Sequence, residues 1–75
     1  LEPAARAPVC AVIAELALSR SAQREFVDTV RELAKRRKET EADTAAALMA
    51  LARGTKGTPR QRGAVFIKKL AQLRS

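Results

Sequence analysis

The chain has 75 residues, a formal charge of +7, a hydrophobic fraction of 47%, two aromatics (Phe26 and Phe66), a single Cys and no His. This length leaves room for one small domain with a thin aliphatic core, and the lone Cys and missing His exclude an intrachain disulfide and a histidine-bearing zinc cluster. All the net charge lies in Thr44–Ser75, which holds seven bases and no acid, whereas Leu1–Asp43 balances eight bases against eight acids.

The first seven residues contain Pro3 and three Ala without periodicity, so residues 1–7 are expected to be a flexible lead-in. The opening Leu1-Glu2-Pro3 suggests a domain excised from a larger protein, with residues 8–75 as its single helical unit. Pro8 suits a first helical turn, and Val9, Val12, Ile13, Leu16 and Ala17 repeat at three- and four-residue spacing. A first helix is predicted over 8–18, with Cys10 as a buried core thiol.

Ser19 and Ser21 are N-cap candidates, and Phe26, Val27, Val30, Leu33 and Ala34 restart the apolar spacing, predicting a helix over 22–38. Its last turn, Lys35-Arg36-Arg37-Lys38, complements the helix dipole, and Glu32 to Arg36 forms an i,i+4 pair. Thr40-Glu41-Ala42-Asp43 resembles a capping box and opens a third helix over 41–53. That helix is small and apolar nearly all round, which predicts burial between others, with Gly54 as its left-handed stop. Thr58-Pro59-Arg60-Gln61 joins an N-cap, a Pro at the first helical position and a capping Gln. A fourth helix follows over 59–74, burying Phe66, Ile67, Leu70 and Leu73. The fold class is therefore all-α, a compact four-helix domain with short loops.

Catalysis has little to work with. Without His or Tyr, acid–base chemistry falls to Lys and carboxylates, and every carboxylate precedes Thr44. No catalytic residue, metal or cofactor is expected. The longest apolar run, Val9–Ala14, is too short for a membrane span, and no signal sequence opens the chain, so an intracellular location, cytoplasmic or nuclear, is expected.

The uncompensated charge points to a polyanion. Projected at about 100° per residue, Gln61, Val65, Lys68 and Gln72 face away from the apolar side of the fourth helix. Arg62 and Lys69 flank that ridge on one side and Arg60 on the other. Basic side chains there can hold phosphates, and the two Gln amides can reach base edges. The preceding turn adds Arg53 and Lys56, two glycines and two threonine hydroxyls ahead of a helix N-terminus, a setting that favours an anion. It lacks the spacing of a phosphate-binding Walker loop. Ala50-x3-Gly54 matches part of a helix-turn-helix pattern, but Arg60 stands where that pattern needs an apolar residue and the turn is longer than usual.

The expected function is thus a non-enzymatic nucleic-acid module contacting duplex DNA or structured RNA through Arg53, Lys56, Arg60, Gln61, Arg62, Lys68, Lys69 and Gln72. The alternative is a protein-interaction domain that docks an acidic protein or peptide, or self-associates as a homodimer. The tail Val65-Phe66-Ile67-Lys68-Lys69-Leu70-Ala71-Gln72-Leu73-Arg74 resembles the last helix of nervy homology (TAFH) domains, which end in a Phe-Leu-Lys-Lys segment followed by Leu-Arg. That resemblance implies a four-helix module binding amphipathic peptides. It is confined to these residues and assigns no binding residue here, because Arg37 and Lys38 stand near the positions where that family carries large hydrophobes.

Overall fold

Proline at the first position of a helix sacrifices only an N–H that would have no partner there, and Pro3 uses that licence. In the computed structural model, which describes residues 1–75, α1 runs Pro3–Glu15 with Pro8 inside it. Residues 3–7 are therefore helical and not a loose lead-in, and the helix starts five positions before residue 8. The reason is a stripe longer than the periodicity suggested: Ala5, Val9, Val12 and Leu16 are all buried, at steps of four, three and four. Ala5 is too small to mark a hydrophobic face in the sequence, yet it is fully buried. Cys10 lies about 100° round the helix from Val9 and is exposed, which corrects the expectation of a core thiol.

α1 also stops earlier than residue 18. Leu18 N–H donates to the Ile13 carbonyl at 3.1 Å and Ala17 N–H to that of Ala14 at 3.3 Å, the paired bonds of a Schellman stop, with Ala17 at φ 48°. Leu16 and Leu18 thereby turn inward at the bend. α2 spans Arg20–Arg37, capped by Ser19 Oγ accepting from Ala22 N–H at 3.3 Å, and ends on Lys38 at φ 53°. Both stops place a side chain where glycine is preferred. Ala17→Gly and Lys38→Gly are each expected to stabilise the domain by about 0.5–1 kcal/mol, read as a higher urea midpoint at unchanged m-value.

α3 (Glu41–Arg53) and α4 (Pro59–Arg74) have the expected bounds. Thr40 Oγ1 accepts from Asp43 N–H at 3.0 Å, and the Thr58–Gln61 capping box forms in full, at 3.3 and 3.1 Å. Gly54 is not the left-handed stop: its φ is −78°, and the positive φ of the connection belongs to Gly57 at 116°. Nor is α3 buried all round. Thr44, Ala45, Leu48 and Ala52 face inward while Ala46, Ala47 and Ala50 are exposed, because only α1 and α2 pack extensively against it.

Polar contacts at the helix ends establish the helix directions. Glu2 N–H donates to the Glu41 carboxylate at 2.7 Å and Glu41 N–H to that of Glu2 at 3.3 Å, so the N-termini of α1 and α3 cap each other. At the opposite end Glu15 pairs with Arg53 at 3.2 Å, so α1 and α3 run parallel. Gly63 of α4 lies against Leu16 and Leu18, just ahead of α2, while Arg74 reaches Glu25 and Glu32 of α2, so α2 and α4 also run parallel. Within the α2–α4 pair, the fully buried rings of Phe26 and Phe66 meet edge to face at 5.1 Å and 85°. Buried Thr29 donates to the Glu25 carbonyl, and Thr44 donates to the Glu39 carboxylate and the Thr40 carbonyl, so neither hydroxyl is left unpaired. No helix is long and apolar enough to cross a membrane.

Candidate nucleic-acid interface

α4 buries Gly63, Phe66 and Leu70 and exposes Gln61, Val65, Lys68 and Gln72, so the outward ridge forms as its spacing predicts. Leu73, expected inside, is 36% exposed because α4 reaches the end of the packed region there. Arg60 is exposed on one flank and Lys69 is half-buried on the other. What the wheel cannot show is which of the seven C-terminal bases already has work inside the fold.

Arg62 does. Its Nε–H donates to Thr55 Oγ1 at 3.3 Å and its Nη2 to the Ala52 carbonyl at 3.3 Å, while Thr55 Oγ1 donates to that same carbonyl at 2.6 Å. Those bonds satisfy the C-terminal end of α3 and tie the connection to α4. Arg53 is held in a two-bond pairing with Glu15, and Arg74 bridges Glu32 at 2.7 Å and Glu25 at 3.1 Å. Gln61 spends its Oε1 on the Thr58 N–H. Arg53, Arg62 and Gln61, all expected among the binding residues, thus each also make bonds within the fold. Lys56, Arg60, Lys68 and Lys69 form no ion pair, and Gln72 is exposed beside Lys68 and Lys69.

The turn ahead of α4, expected to favour an anion, uses part of its donor set internally. Pro59 has no N–H, Gln61 N–H is taken by Thr58 Oγ1, and Arg62 N–H donates to the Thr58 carbonyl at 2.9 Å. The capping box thus withdraws some of the first N–H groups of α4 from an anion, while that of Arg60 has no partner within the fold. The left-handed Gly57 makes this closure possible, since a Cβ there would lie 2.7 Å from Gln61 Oε1. Gly57→Ala is expected to lower stability by about 1–3 kcal/mol through backbone strain and loss of the box, measured by urea unfolding. A substitution with no effect on the midpoint counts against that role. A helix-turn-helix corner is also absent: the connection occupies residues 54–58 and Gly54 is right-handed.

Glu32 is the acid most altered by this network. The hydrogen bond from Arg74 and the nearby charge of Arg36 hold its carboxyl below the ordinary glutamate range, and Arg74 is raised in turn by Glu32. A carboxylate depressed in the folded state contributes stability above its unfolded pKa and loses it as pH falls through the folded value. The thermal midpoint should therefore drop on acidification below the ordinary glutamate range, and Arg74→Met should remove part of that acid limb. Both side chains keep about a third of their surface in solvent, which screens the pair and keeps the effect small.

Lys35, Arg37 and Lys38 are exposed at the end of α2, whereas Arg36 pairs with Glu32 at 2.9 Å and donates to the Arg74 carbonyl at 3.0 Å. That basic run therefore sits beside the C-terminus of α4, at the far end from Lys56 and Arg60. Two further bases, Arg20 and Arg24, have no ion pair and lie on the first turns of α2, next to the start of α4. Sequence counting hides them, because acids of Leu1–Asp43 cancel them arithmetically, although none pairs with them. No family model, curated protein or solved structure matches the chain.

Proposed function

We propose that this chain is a non-enzymatic module that binds the phosphate backbone of duplex DNA or structured RNA through Lys56, Arg60, Lys68 and Lys69, with Gln72 beside them. One observation carries the proposal: in a segment without a single acid, five of seven bases have no carboxylate partner, and of those five only Arg62 is bonded within the fold. From Arg60 to Lys68 α4 rises about 12 Å, over which a duplex presents about seven phosphate charges. Both Phe rings are fully buried, leaving no aromatic for base stacking, which favours a paired backbone over single strands.

Four neutralised phosphates correspond to a log–log salt slope of roughly −3.6, so affinity should fall roughly a hundredfold between 50 and 200 mM salt. Fluorescence anisotropy with a labelled duplex, a hairpin RNA and heparin measures this directly. A flat slope, or heparin bound as tightly as either nucleic acid, rules the proposal out.

A further inference from the structure

A groove of about 760 Å³ opens between the α1–α2 turn, the first turns of α2 and the N-terminal half of α4. Its floor is aliphatic, with Leu16, Leu18 and Ile67 among small residues, notably Ala22 and Ala64. Gly63 lets α4 lie close to the α1–α2 turn: a Cβ there would come within 3.2 Å of the Leu16 carbonyl oxygen, a tight contact. The volume falls within the range of about 300–1,000 Å³ typical of binding pockets.

The rim carries three arginines and two acids. Arg60 lines the groove on α4, and a smaller depression sharing Ser21 and Glu25 with it carries Arg20 and Arg24. None of the three guanidiniums has an acidic partner. Glu25 is already matched by Arg74 at 3.1 Å, leaving Asp28 as the uncompensated acid of this rim. An apolar floor flanked by unpaired arginines complements a surface with apolar side chains on one face and carboxylates beside them.

We propose that this groove docks an acidic amphipathic helix of a partner protein, its apolar side chains on Leu16, Leu18 and Ile67 and its carboxylates on Arg20, Arg24 and Arg60. The proposal is independent of the nucleic-acid reading, although Arg60 belongs to both surfaces. An aliphatic floor without aromatic rings suits leucine-like side chains and gives a nucleobase nothing to stack on. Neither Val65 nor the exposed alanines of α3, the apolar positions that the sequence offers to a partner, line it.

The test uses two synthetic peptides of equal composition, about twenty residues of Leu, Ala and Glu. One places Leu at i, i+3, i+4 and i+7, and the other scatters it so that no apolar face forms. By anisotropy, the amphipathic peptide is expected to bind at least tenfold tighter than the scattered one. Ala64→Trp, which fills the groove from an exposed position, and the surface pair Arg20→Glu/Arg24→Glu should each weaken it at least tenfold, with thermal unfolding run on both variants to establish that they fold. Amide shift changes should centre on Leu16, Ala22, Ala64 and Ile67. Equal binding of the two peptides, no binding of either, unchanged binding to both variants, or shifts centred instead on Val65 and Lys68 overturns the proposal. So does a duplex DNA that perturbs the groove amides while the peptide does not.

Discussion

Phe66→Ala should leave little or no folded protein at 37 °C. Phe66 is fully buried, and its ring meets Phe26 edge to face at 5.1 Å, the one aromatic contact in the molecule. Truncating a buried Phe removes about 3–5 kcal/mol, through lost transfer free energy and the cavity left behind. At about 0.05–0.15 kcal/mol per residue, a chain this size has about 4–11 kcal/mol in total. The substitution thus takes at least about a quarter of the margin and, at the low end of that range, all of it, and α2 and α4 lose the ring contact between them. Far-UV circular dichroism against urea measures it. Phe66→Leu, which keeps most of the volume, should cost appreciably less, and Val65→Ala, one residue away but 42% exposed, should stay within about 0.5 kcal/mol. A Phe66→Ala protein with a urea midpoint near that of the parent would mean that the ring pair is not central to the core.

The second large effect separates bases of identical chemistry. Replacing Lys56, Arg60, Lys68 and Lys69 together with Ala is expected to bring the salt slope of nucleic-acid binding from roughly −3.6 to near zero, with the urea midpoint almost unchanged. Arg62→Ala should do the opposite. It removes both guanidinium bonds at the end of α3, leaving the Ala52 carbonyl to Thr55 alone, so about 1–3 kcal/mol of stability is lost while the salt slope stays. Equal losses of affinity from the two variants would show that binding follows total charge and not the surface defined here.

Much of the architecture was legible in the residues. The cap at Thr40, the Thr58-Pro59-x-Gln61 box and the apolar spacing of α2 and α4 are local signals, formed among residues three or four apart, and the bounds of α3 and α4 follow from them. The misplaced features depend on partners distant in sequence. Ala5 reads as filler until α1 meets its neighbours and buries it. Cys10 reads as core until Val9 and Val12 take the inward face. The left-handed stops at Ala17 and Lys38 escape notice because glycine is the usual marker of such a turn, and here two exposed non-glycine residues adopt it.

The charge asymmetry belongs to the sequence alone: seven bases and no acid after Asp43 is a count that no folding changes. Which of those bases remain available was decided by tertiary structure. Arg53 finds Glu15 and Arg74 finds Glu25 and Glu32 across separations of 38, 49 and 42 residues, and Arg62 reaches back to the end of α3. The same assembly juxtaposes Arg20 and Arg24 with Arg60 along one groove. Composition sets the total field at long range, whereas a guanidinium's partner is set by contact at about 3 Å, and only the packed helices bring such distant residues that close.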